Sequence, residues 1–193
     1  MKKLVKILGL LLVAGALFVG CKQEANIETD EIKLSNGTWD LEMRAAYSVT
    51  QSTFSASFAS GENITFKVEG ETYTVTKGSY NYSVTYDFGS EAAASAAKAQ
   101  LESYYKAEDG FSVSTSGSKI TVKSSQALDD EDIASMNKGD CNVSEFSAMF
   151  PEDAVIKTNK KKTEYKITYT EKADPDDEDD YDVNYTVTIK KQK

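Results

Sequence analysis

The sequence predicts an α+β domain dominated by antiparallel strands, and three observations carry this prediction. Many short segments alternate apolar and polar residues, which is the period of a strand that buries one face. Turn signals separate these segments at short intervals, which indicates hairpins. A single Ala-rich stretch in mid-chain has the apolar spacing of a helix. One apolar face per strand is typical of antiparallel sheets and not of buried parallel ones.

The first half of the chain alternates most strictly. The first predicted strand carries on one face Trp39, Leu41, Met43, Ala45, Tyr47 and Val49. Shorter runs of the same period follow at 54–58, 64–68 and 73–75, and turn signals separate them at 61–63, 70–71 and 77–78. The clearest strand is 80–88, with one face formed by Tyr80, Tyr82, Val84, Tyr86 and Phe88. Together these runs predict a hairpin meander.

One long helix is predicted at about 91–106. Ser90 is a good N-cap, and Glu91 places negative charge in the first turn, where a helix favours it. The face predicted to be buried carries Ala94, Ala97, Leu101 and Tyr104 at helical spacing. The high Ala content favours the helix and allows it to lie close to a sheet.

The second half of the chain returns to strands. Runs at 111–115 and 119–123 predict a hairpin, and an acidic segment near 128–137 predicts a short helix. The segment 141–151 is predicted to be irregular or briefly helical. Further strands are predicted at 154–157, 164–171 and 181–190. Either the whole sheet curls into a barrel, or it stays open with the long helix across its apolar face.

The composition and motifs of the chain argue against catalysis and against metal binding. The chain of 193 residues has no His, which removes the commonest general base and a common metal ligand. Ser95 and Lys98 match a Ser-x-x-Lys nucleophile motif, but its partner motifs are missing. The acidic run 174–180 lacks the spacing and the Gly of a calcium loop, so we interpret it as a solvated hairpin connection. The sequence therefore predicts no enzyme, no cofactor and no metal site.

The net charge of the chain argues against two classes of partner. Without the three lysines near the N-terminus, 19 basic and 31 acidic residues remain, a formal charge of −12. A strongly acidic chain is a poor match for nucleic acid and for polybasic binding to anionic lipid. We therefore expect no nucleic-acid partner.

The first twenty-one residues have an organisation of their own. A basic start precedes the apolar run Ile7 to Val19, which ends in Gly20 and Cys21, and this is the pattern of a secretory signal. Phe18-Val19-Gly20-Cys21 resembles the lipobox of bacterial lipoproteins, in the relaxed form found in spirochaetes. The resemblance implies cleavage before Cys21, a diacylglycerol thioether on its sulfur and N-acylation with a chain such as palmitate. A plain secretory signal and a single membrane helix are the alternatives.

This resemblance divides the chain into three parts. Residues 1–20 are then a signal peptide, 21–35 the lipidated Cys and a polar tether, and 36–193 a single β-rich domain. Several buried acyl chains hold a protein on a bilayer without spanning it. We expect the domain at the cell membrane or outer membrane, facing the periplasm or the cell exterior.

A second resemblance concerns the domain. Gly37-Thr38-Trp39, at the start of the first strand, resembles the Gly-x-Trp opening of lipocalin-like barrels. It implies a barrel with a ligand cavity. The helix at 91–106 departs from that family, in which the main helix follows the barrel strands.

The aromatic residues of the strand faces are the candidate contacts for a ligand or partner: Trp39, Tyr80, Tyr82, Tyr86, Tyr165, Tyr169, Tyr181 and Tyr185. The same residues also suit a packed core, because buried Tyr needs only a partner for its hydroxyl.

Cys141 has no second cysteine to pair with once Cys21 is acylated, so we interpret it as a free thiol, buried or exposed. The sequence predicts a non-enzymatic interaction module that binds an unknown protein or small molecule. The alternative is a small-ligand carrier with a barrel cavity.

Overall fold

The computed structural model describes residues 27–106, 110–139, 141–175 and 181–193. In these ranges the chain forms one antiparallel sheet, with the strands β1 Ile27–Glu28, β2 Gly37–Thr50, β3 Ser55–Glu69, β4 Thr72–Asp87, β5 Phe111–Ser116, β6 Lys119–Ala127, β7 Val155–Thr158, β8 Glu164–Glu171 and β9 Val183–Lys191. The helices are α1 Glu91–Tyr105, α2 Asp130–Met136 and the 3₁₀ helix Val143–Met149.

The sheet is open. Its strand order is β1-β7-β8-β9-β2-β3-β4-β6-β5, and its edge strands β1 and β5 do not pair with each other in the described part of the chain. The barrel alternative is therefore wrong. The hairpins predicted between 111–115 and 119–123, and between 164–171 and 181–190, are confirmed by the antiparallel pairing of β5 with β6 and of β8 with β9.

Two predicted turns are instead strand interior. The strand β3 continues through 61–63, and β4 continues through 77–78, where a register shift opposite Thr65 and Phe66 accommodates an extra residue. The prediction interpreted these glycines as turn residues, whereas in the structure they leave room for neighbouring side chains. A Cβ at Gly78 would lie 2.3 Å from Leu128 Cδ1, so this glycine allows the segment after β6 to pack on β4. The predicted turn at 70–71 is real, and Gly70 adopts a φ of 65°.

The register places the large apolar side chains of all strands on one side of the sheet, which we call the apolar face. The first core on this face contains Trp39, Phe66, Tyr165, Ile167 and Val187, and Phe146 of the 3₁₀ helix covers it. The second core lies under α1 and contains Ala56, Val84, Val122 and Tyr105. We call the opposite, solvated side the polar face.

The predicted tether is shorter than 21–35. Ile27 and Glu28 pair with Thr158 and Lys157 as the edge strand β1, and Ile32 and Leu34 are buried in the first core. These two apolar side chains alternate with exposed residues, so the segment packs on the sheet like an additional strand face. Residues 27–34, within the range predicted as tether, are thus part of the packed sheet.

The helix α1 covers only one end of the sheet. Ser90 Oγ accepts a hydrogen bond from the Ala93 N–H at 3.2 Å, and the helix packs against β5 and β6. Tyr104, predicted to lie on the buried face, is 70% exposed, and Tyr105 is buried in its place. The buried stripe therefore continues from Ala94 and Leu101 to a residue four positions on, which is an equally good helical spacing.

The pairing of β2 with β3 is interrupted in the middle. The strands pair at Gly37 and Thr38 with Val68 and Lys67, and again from Tyr47 onward, with no paired residues in between along this fully described stretch. The register is the same on both sides of the interruption, so neither strand contains an inserted residue there. Backbone groups of both strands are thereby left without ladder partners across the gap.

Candidate functional site

Two of the predicted contact residues are fully buried. Trp39 and Tyr165 have 0% exposure, with ring centroids 6.4 Å apart. The Trp39 indole N–H donates to the Ser35 carbonyl at 2.9 Å, and the Tyr165 hydroxyl donates to the Lys33 carbonyl at 2.8 Å. Both side chains hold the segment before β2 onto the sheet, so they have the packed-core role that the sequence also allowed.

Tyr169 and Tyr185 form a stacked pair on neighbouring strands. Their ring centroids are 4.5 Å apart, and the Tyr185 hydroxyl donates to Glu171 Oε2 at 2.7 Å. Burial, with the hydrogen bond to Glu171 and its charge, raises the pKa of Tyr185. Burial likewise raises the pKa of Tyr169. A hydroxyl that already has its partner is a structural group rather than a free recognition group.

Tyr82 and Tyr86 belong to the second core. The Tyr86 hydroxyl lies 3.0 Å from the Tyr105 hydroxyl of α1, and the Tyr82 ring contacts Phe111 edge to face. Burial is the main cause that raises the pKa of all three tyrosines. These side chains join α1 to the sheet and pack in the second core.

The remaining predicted contacts lie between the two cores. Tyr181 stacks on Tyr47 with ring centroids 5.5 Å apart, and Tyr80 is 37% exposed. Glu62 pairs with Tyr80 across the strands and lies on the same apolar face. Burial raises the pKa of the Glu62 carboxyl. Of the predicted contacts, Tyr80 is the one with the most accessible side chain.

The two cysteines differ in position. Cys21, the predicted lipidation site, lies outside the described residues. Cys141 is half-buried, and its thiol donates to the Met136 carbonyl at 3.5 Å. Of the two predicted environments, the structure places Cys141 between buried and exposed, at the C-terminal end of α2.

A groove that sequence reasoning missed lies on the polar face. It has a volume of about 500 Å³ and runs across five strands, from the interruption between β2 and β3 to the edge strand β5. We call it the groove and define it by Arg44 of β2, Gly61 of β3, Asn81 and Ser83 of β4, Lys123 of β6 and Ser112 of β5. Its volume falls in the range of small-molecule sites.

The floor of the groove consists of small residues. Gly61 pairs with Asn81, and a Cβ on Gly61 would lie 3.2 Å from the Asn81 Cβ. The backbone of Gly61 has no positive φ, so the glycine provides space rather than an unusual conformation. Asn81 is held in place because its Oδ1 accepts from the Ser125 hydroxyl at 2.7 Å. The concavity therefore comes from side-chain size on a paired, ordered surface.

The ends of the groove are cationic. Arg44 is the only arginine of the chain. Its Nε donates to Glu42 Oε1 at 2.9 Å, and its Nη2 donates to the same oxygen. The Nη1 group is not part of this pair. At the other end, Lys123 makes no ion pair with any described residue. Among the described residues that line the groove, one carboxylate therefore faces two cations, in a chain of net charge −9.

Two signals in the sequence point to the groove in retrospect. A glycine inside a strand often marks a close approach or a site, and the sole arginine lies in the strand opposite Gly61. Both were hidden because Ser, Asn and Lys alternating with apolar residues read as an ordinary solvated strand face. These side chains belong to five strands that are spread along the sequence, so the sequence alone does not show that they share one surface.

The described residues offer little else that indicates chemistry. They contain no group of three or more acidic or Cys side chains placed to hold a metal ion. None of their helices has the length and apolar character needed to cross a membrane. Comparison with family models, with curated proteins and with solved structures found no match to this chain.

Proposed function

We propose that this protein is a lipoprotein of the cell envelope whose β-rich domain is a non-enzymatic binding module. Lipid on Cys21 holds it at the cell membrane or outer membrane, and the domain faces the periplasm or the cell exterior. The observation that carries the binding role is the groove on the polar face. Its walls are paired strands, and they carry polar side chains that form no hydrogen bond with other described residues.

The position of the groove suits a module displayed from a membrane. Five residues separate Cys21 from Ile27, so the anchor reaches at most roughly 21 Å to β1. Strands lie about 4.8 Å apart, which places β2 about 19 Å and β5 about 38 Å across the sheet from β1. The groove thus occupies the half of the sheet that is remote from the anchored edge, where a partner in solution meets it.

The residues of the groove support binding rather than catalysis. Its only carboxylate, Glu42, already accepts two hydrogen bonds from Arg44, so it is a poor general base. The chain has no His to take that role. A catalytic site needs a titratable group in reach of a reacting atom, whereas positioned hydroxyls, amides and cations are sufficient for recognition.

The alternative of a carrier with a barrel cavity is not retained, because the sheet is open and its tyrosine-bearing face packs into three hydrophobic clusters. The groove on the opposite, polar face has room for a small molecule or for a segment of a larger one.

Site-specific photo-crosslinking in cells tests the binding role. A diazirine-bearing residue is introduced at Ser112, which lines the groove, or at the matched position Lys166 on the polar face of β8, outside it. Diazirines insert into C–H and O–H bonds of any class of molecule. We expect an adduct of defined mass from position 112 and none from position 166. No adduct from 112, or the same adducts from both positions, would contradict the proposal.

A further inference from the structure

The groove presents polar groups that are not used within the protein. Lys123, Ser83 and Asn63 form no side-chain hydrogen bond or ion pair with any other residue that the structure describes. A serine hydroxyl both donates and accepts, an amide does the same through separate atoms, and lysine donates only. In addition, the interruption between β2 and β3 leaves backbone donors and acceptors at one end of the groove. A ligand that both donates and accepts along its length matches this surface.

The charges of the groove favour an anion. The guanidinium of Arg44 keeps Nη1 outside its pair with Glu42, and the planar group suits a carboxylate. Lys123 adds a second, unneutralised cation. Among the described lining residues, the positive charges thus exceed the negative ones by one.

The separation of the two cations sets the length of the ligand. Arg44 lies three strands from Lys123, which corresponds to roughly 15 Å when their offset along the strands is included. A monosaccharide or a single acetate-sized anion does not span this distance. A ligand that contacts both ends carries its anionic groups on an extended polar chain.

Other classes of ligand fit less well. Peptides are usually recognised at a free sheet edge, in an apolar groove or in an aromatic-lined groove, whereas this groove lies on a sheet face with a polar floor. Single-stranded nucleic acid needs aromatic platforms. The two large apolar residues among the lining, Met43 and Tyr82, direct their side chains into the cores of the apolar face. The walls thus offer hydroxyls, amides and cations but no exposed ring.

We propose that the groove binds an acidic oligosaccharide, a short hydroxyl-rich chain whose sugar units carry carboxylates. This inference rests on the proposed binding function and names the class of ligand for the same site. A carboxylate pairs with Lys123 and another with Arg44, while sugar hydroxyls exchange hydrogen bonds with Ser83, Asn63 and the open backbone groups between them.

The test is a calorimetric titration of the full-length protein in detergent micelles. The probes are trigalacturonate and the neutral galactose trisaccharide, which differ by the carboxylates. We expect saturable binding of the acidic trisaccharide that weakens as salt is raised, and no binding of the neutral one. Lys123→Gln should weaken binding about tenfold, the size expected for a lost charge-assisted hydrogen bond. Lys166→Gln, the matched change outside the groove, should leave the affinity unchanged.

A second variant tests the floor. Gly61→Ala places a methyl group against Asn81 and narrows the groove, and circular dichroism shows whether the sheet is retained. With the sheet retained, we expect weaker binding. Equal affinity for the two trisaccharides, an equal effect of Lys123→Gln and Lys166→Gln, or no saturable binding would overturn the proposed ligand class. If crosslinking from position 112 still gives its adduct in that case, the binding function survives and only the class of ligand is wrong.

Discussion

Glu62 places an ionisable carboxyl group on the apolar face of the sheet. It lies on the apolar face between the two cores, half-buried, and it forms no ion pair within the described structure. Burial raises the pKa of its carboxyl because the charged form loses hydration. In the folded state the protein therefore holds this proton to a higher pH than in the unfolded state, where the pKa of Glu is about 4.3.

The sign of the resulting pH dependence follows. Between the unfolded and the folded pKa, the folded protein binds more protons, so the contribution of Glu62 to stability falls as pH rises through this window. We predict that Glu62→Gln raises the urea midpoint at pH 7. The gain should shrink as the pH approaches 4, because Glu62 is then protonated in both states.

Urea unfolding of the two proteins at several pH values measures this effect. Glu71→Gln, at an exposed position in the turn between β3 and β4, serves as the control and should show no comparable gain. A midpoint that is unchanged or lower for Glu62→Gln at pH 7 would mean that the carboxylate has a compensating partner in solution.

At the scale of elements, the docking of the segment from β6 to α2 depends on a single glycine. Leu128 is buried over Gly78, and its N–H donates to the Gly78 carbonyl at 2.9 Å. Asp129 then caps α2 with a reciprocal capping box that includes Asp132. The contact between Gly78 and Leu128 therefore sets where α2 begins on the sheet.

We predict that Gly78→Ala destabilises the fold by about 1–3 kcal/mol, the range for overpacking in a close-packed site. The new methyl group would meet Leu128 Cδ1, and the backbone carbonyl of Asn63 at 3.1 Å limits its escape. Chemical denaturation measures the loss, and hydrogen exchange should place it at α2. Gly139→Ala is the matched control, because a Cβ there has open space. Equal stability of the two variants would show that Leu128 moves without cost.

The elements also show where sequence reasoning succeeds and where it fails. Alternation located the strands, because a residue pattern with a period of two reports one buried face directly. Glycine was the misleading signal: Gly61 and Gly78 were interpreted as turn residues, whereas they make room for neighbours across the sheet. Only the three-dimensional environment separates these roles, since the local sequence is similar in both cases.

At the scale of the whole molecule, the candidate site is a product of topology. Arg44 and Ser112 are far apart in sequence, and they line one groove because β2 and β5 belong to the same half of one sheet. The apolar periodicity that predicted strands carries no information on strand order. The predicted tyrosine contacts share one face, as expected; most of them pack in the cores of that face, while Tyr80 stays exposed.

The proposed anchor would lie close to the sheet in sequence. The sheet begins within a few residues of Cys21, so the lipid would hold the β1 edge close to the bilayer and leave the groove exposed to the surroundings. The central claim of the proposal is therefore that the mature chain begins at a lipidated Cys21.

The intact mass of the mature protein, isolated from native membranes, tests this claim most directly. We predict an N-terminus at Cys21 with the added mass of a diacylglycerol and of an N-linked acyl chain, and retention in the detergent phase. Cys21→Ala should move the protein to the soluble fraction or stall it as precursor. A mature chain that begins with an unmodified Cys21, or a chain that retains residues 1–20 as a membrane helix, would contradict the account.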